Sequence, residues 1–178
     1  MKSCPYLPLP KHALKPSDTR VWRDECGPNY YQICLECAQS LWQAHLPAQA
    51  LLQLNKSFMC QLDPADSILQ KFPLPYRAIR WMLANYHPED FIGNPVRHFQ
   101  HLASRMSAKS PQAELRTWRA WACYHIASRV LDHDDFPPDE QQIRYEKLSI
   151  PSVTEVSSQL EKLGLTGEVD LFKREIEK

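Results

Sequence analysis

Glycine is scarce in this chain, with four residues in 178. Loops that cradle phosphate and tight two-residue hairpins both lean on glycine, so neither a Gly-rich nucleotide site nor a hairpin-built sheet is expected. No apolar run approaches the roughly 20 residues that cross a bilayer, which argues against a membrane-spanning helix. The opening residues, MKSCPYLPLPKHALKP, lack the unbroken apolar core of an export signal because Pro5, Pro8 and Pro10 interrupt them. A cytoplasmic location is expected, and with it reduced thiols instead of disulfides among the six cysteines. A net charge is also lacking, since 21 Lys and Arg balance 21 Asp and Glu. There is no nucleophile elbow and no acid/base pair at a diagnostic spacing, so no reaction is legible and no cofactor or metal is expected.

What is present is helical patterning punctuated by fifteen prolines. Residues 1–28 are Pro-rich and aperiodic and read as an extended arm. NYYQICLECAQSLWQAH (29–45) and PAQALLQLNKSFMCQL (47–62) read as two helices joined by almost nothing, with Pro47 suited to a first helical turn. PYRAIRWMLANY (75–86) sets Tyr76, Ile79, Met82, Leu83 and Tyr86 on one face, leaving Arg77, Arg80 and Trp81 on the other. GNPVRHFQHLASRM (93–106) has Val96, Phe99, Ala103 and Met106 on its apolar face. SPQAELRTWRAWACYHIASRVL (110–131) opens on a Ser cap and is apolar around most of its circumference, so it is expected at the centre. Helices over 138–147, 153–163 and 166–177 follow, the second opening on the Ser152/Glu155 capping pair. The expected fold is all-α, a compact helical bundle or short repeat-like stack of about seven helices. Its parts are the arm (1–28), a helical core domain (29–148) and an acidic C-terminal helical cap (149–178).

Residues 34–57 resemble one tetratricopeptide repeat. Cys34, Cys37, Ala38 and Leu41 hold packing places of its first helix, Ala50 and Leu54 those of its second, and its turn glycine falls at His45. The resemblance implies a similarly packed helical hairpin and a protein-binding groove. Read without it, Cys34-x-x-Cys37 sits within a helix, on the packing face, and not at a strand-to-helix junction. That placement favours buried packing over redox or zinc chemistry.

Charge is segregated although it sums to zero. Residues 71–131 carry nine Lys or Arg against Glu89, Asp90 and Glu114, a net of +6, while residues 132–178 carry six basic against twelve acidic groups, a net of −6. The basic middle either pairs with the acidic tail or attracts an anionic partner. On the helix over 93–106, His98 and Arg105 fall just outside the apolar face with His101 beside them, forming a rim. Arg97 adds a charge, and the next helix offers Arg116 and Arg119 framing Trp118, where an arginine can stack and still present its donors. The candidate ligand-binding residues are Arg97, His98, His101, Arg105, Arg116, Trp118 and Arg119. DHDDFPPDE lacks the glycine and spacing of a calcium loop and reads as a solvated connector.

The leading expectation is a non-catalytic helical interaction module whose groove, between the helices over 75–86, 93–106 and 110–131, binds a partner peptide or acidic segment. Binding of RNA or a phosphate-rich ligand on the same surface is a second reading. A small metal-dependent enzyme using His98 and His101 is a third.

Overall fold

The structure is a computed structural model that describes residues 28–58, 62–85, 94–105, 110–131 and 149–178. These hold eight helices and no strand: α1 (Pro28–Gln43), α2 (Pro47–Phe58), α3 (Ser67–Lys71), α4 (Tyr76–Ala84), α5 (Pro95–Arg105), α6 (Pro111–Val130), α7 (Val153–Lys162) and α8 (Thr166–Ile176). The all-α expectation is met. The N-terminal arm through residue 27, the expected helix over 138–147 and the DHDDFPPDE segment lie outside the described residues.

α1 and α2 pack closely on each other, and their joint is built by local chemistry. At the end of α1, Leu46 N–H donates to the Leu41 carbonyl at 2.9 Å and His45 N–H to that of Trp42 at 3.0 Å, with His45 at φ 63°. This is the left-handed helix stop that ordinarily uses glycine. The joint between α7 and α8 repeats it with Gly164 at φ 83°, where Leu165 N–H donates to the Leu160 carbonyl at 3.1 Å. The six repeat-like packing positions, Cys34, Cys37, Ala38, Leu41, Ala50 and Leu54, are all buried.

Helix starts follow the caps legible in sequence. Ser110 accepts from Ala113 N–H at 3.2 Å, Ser152 from Glu155 N–H at 3.1 Å, and Asn94 from Val96 N–H at 2.9 Å. Each satisfies a backbone donor that the first turn leaves without an intrahelical partner.

α6 is the axis. It packs against α5 most extensively and also against α4, α7, α8 and α2. Leu115, Ala120, Trp121, Ala122, Cys123, Ile126 and Ala127 are buried, which is why its apolar residues surround it instead of forming a stripe. The C-terminal pair joins the same core, with Val156, Leu160, Leu165, Val169 and Phe172 at 0 to 1% exposure. At about 1.5–3 kcal/mol for each large apolar side chain removed from water, this hairpin is a structural part of the bundle.

Candidate functional site

The basic middle of the chain divides in three dimensions. Arg119 is 1% exposed and bound to Glu168 of α8, its Nε donating to Oε1 at 2.8 Å and its terminal nitrogen to Oε2 at 2.6 Å. Tyr76 of α4 donates its hydroxyl to the same Oε1 at 2.7 Å, and the Tyr31 ring of α1 lies 5.5 Å from the guanidinium carbon. Burial opposes the Arg119 charge, but Glu168 outweighs it and holds the guanidinium above the usual arginine value. Burial, reinforced by Glu168, pushes the Tyr76 hydroxyl well above its ordinary value. The neighbouring Cys123 thiol is pushed up by burial and then by Glu168, so it stays protonated and inert. Arg119, expected at a ligand surface, is thus the core's own cation, and here the acidic tail does pair with the basic middle.

α4 is drawn away from the expected groove as well. Arg80 donates to the Glu175 carbonyl of α8 at 2.7 Å, and Trp81 meets Trp42 of α1 edge to face at 5.4 Å. Trp118 is half-buried and packs against the core cluster. The remaining candidates stay on α5 and on the first half of α6.

On α5, Val96, Phe99, Gln100 and Ala103 face the core. Arg97, His98 and His101 are half-buried beside them, as a rim requires. Arg105 closes the helix, and its side chain lies outside the described residues. His98 is tied across the bundle, since its Nε2 meets the Asn55 amide nitrogen of α2. Burial lowers the His98 pKa below the ordinary histidine value, and His101 one turn away lowers it further. On α6, Arg116 is half-buried and its Nε is sequestered from water without a hydrogen-bond partner. A buried donor left unmade costs about 1–3 kcal/mol.

Asn55 had no place in the sequence-level reading of the site. Its one signal was a polar residue among leucines in LLQLNKSF, a weak helix former at the edge of an apolar face. Glu168 was equally hidden, because a carboxylate in a first helical turn ordinarily serves the helix dipole.

Among the described residues, no three His, Cys, Asp or Glu side chains are placed to share an ion. Two surface clefts lie elsewhere. One of about 350 Å³ between α7 and α8 is lined by Val153, Ser157, Glu161, Lys173 and Ile176 among others. A shallower one of about 740 Å³ lies between α1 and α3, around Gln32, Gln70 and Phe72. None of the expected site residues lines either. No helix of the described residues is long and apolar enough to cross a membrane. Compared with known protein families, curated proteins and solved structures, the chain matches none.

Proposed function

We propose that this chain is a non-catalytic helical interaction module whose α5 face, completed by Arg116 of α6, receives an acidic segment of a partner protein. The observation that carries the reading is the Arg116 Nε, a buried cationic donor without a partner, on the helix against which α5 packs. α5 itself bears Arg97, His98, His101 and Arg105 and no carboxylate, while the acidic C-terminal hairpin packs on α4 and α6. The described part of the tail engages Arg119 and Arg80.

A carboxylate partner is favoured over single-stranded RNA by the state of the aromatic rings. Strand binders need open ring faces for bases to stack on. Here Trp81 is turned onto Trp42 and Trp121 onto Tyr124, and no described aromatic side chain is exposed.

The test is binding of a fluorescent oligo-glutamate peptide of about ten residues, at two salt concentrations, beside a single-stranded RNA of similar charge. Salt-sensitive peptide binding that is lost in Arg97→Gln/Arg105→Gln, with the melting temperature kept, is expected. RNA binding without peptide binding, or peptide binding unchanged in that variant, would overturn the reading.

A further inference from the structure

We infer that the cleft between α7 and α8 binds a free aliphatic α-amino acid, held as a zwitterion. The site belongs to the C-terminal hairpin and shares no described residue with the α5 face. Along α7, Val153, Ser157 and Glu161 recur every four positions and so lie one above the next. Lys173, Ile176 and Glu177 line the other side from α8, and between the two rows opens a cleft of about 350 Å³. That is the small end of ligand-pocket sizes, with room for one small molecule.

Ser157 is the unusual residue of this lining. Its place lies between the buried Val156 and Leu160, and it is itself 3% exposed. Its hydroxyl is shut off from water and has no hydrogen-bond partner. A bond left unmade in this way is costly to the free protein, and alanine would fill the same place without that cost. Turning Ser157 to another staggered rotamer brings the hydroxyl to the cleft, and nothing is left bare because the hydroxyl gives up no bond.

The charges choose the ligand. Lys173 Nζ stands 3.9 Å from Glu161 Oε1, too far for a hydrogen bond, and each side chain is about half exposed, so the pair holds little. Glu177, one turn beyond Lys173, makes no ion pair among the described residues. A plain cation entering the cleft meets Lys173, and a plain anion meets Glu161 and Glu177. A zwitterion answers both signs. Its ammonium donates to Glu161 while its carboxylate accepts from Lys173 and from the Ser157 hydroxyl, so one weak contact gives way to three charge-assisted ones. Val153 and Ile176 are partly buried apolar walls, suited to an aliphatic side chain.

The experiment follows the amide signals of the isotope-labelled full chain while leucine, isoleucine or valine is added. Beside them run N-acetyl-leucine, which lacks the ammonium, and leucinamide, which lacks the carboxylate. Saturable shifts in α7 and α8 are expected with at least one of the amino acids, and both single-charge analogues should bind at least about tenfold more weakly. Ser157→Ala should keep or raise the melting temperature yet weaken binding by about tenfold, through loss of one hydrogen bond to a charged group. Lys173→Gln should erase the difference between leucine and leucinamide. No saturable shift with any of the amino acids, analogues bound as tightly as leucine, or unchanged binding by Ser157→Ala would overturn the inference.

Discussion

Arg119 of α6 and Glu168 of α8 form a two-pronged ion pair in the middle of the core, with both side chains at 1% exposure. The Tyr76 hydroxyl takes a further share of the same carboxylate, so one acidic side chain joins α4, α6 and α8. Two charges in such a place are held by geometry, because each would be costly alone.

Removing one partner therefore exceeds the cost of an ordinary hydrogen bond. Glu168→Gln leaves the Arg119 charge buried and should lower stability by about 3–5 kcal/mol, whereas Arg119→Met with Glu168→Leu should cost only about 1–3 kcal/mol, from the buried Tyr76 hydroxyl that loses its acceptor. Urea unfolding of the three proteins checks this. A double variant as unstable as the single one would mean that the pair contributes more than its own neutralisation. Ending the chain near Leu131 removes Glu168 along with Phe172 and Val169, so that truncation should not fold.

Stability should fall as the solution is acidified. Burial lowers the pKa of His98, with His101 adding to it. Burial also lowers that of His125, against an opposing hydrogen bond to the Pro151 carbonyl at 2.7 Å, with Arg129 adding to the lowering. The unfolded chain, near the ordinary value of 6.5, then binds protons that the folded chain refuses. This contribution is present above the unfolded value and is lost as pH falls through the folded ones. Melting temperatures at about pH 7.5 and about pH 5.5 should drop toward acid, and His98→Gln with His125→Gln should flatten the drop. A pH-independent melting curve would contradict it.

His45 occupies a backbone position at φ 63° that disfavours a side chain bearing a Cβ. His45→Gly should raise stability by up to about 1 kcal/mol, the relief of a left-handed non-glycine residue less the added freedom of the unfolded chain. Chemical denaturation measures it, and a loss of stability would show that the imidazole holds the turn by a contact of its own.

Local pattern sufficed wherever physics is local. The helix periods, the Ser110 and Ser152 caps, the buried faces of α4 and α5 and the encircled α6 were all legible, because a helix states its burial in its own spacing. So were the buried Cys34 and Cys37, whose place on a packing face outweighed their suggestive spacing. Which arginine meets which anion was not legible. Arg116 and Arg119 stand one turn apart beside the same tryptophan, yet Arg119 is sealed against Glu168, 49 residues on, while Arg116 keeps a donor without a partner. Likewise Asn55 reaches His98 across 43 residues. Sequence by itself determined that these side chains are polar and at the borders of apolar faces. Only the placing of α8 against α6 and of α2 against α5 decided their partners, because an ion pair or a hydrogen bond depends on distances of a few ångströms that no periodicity encodes.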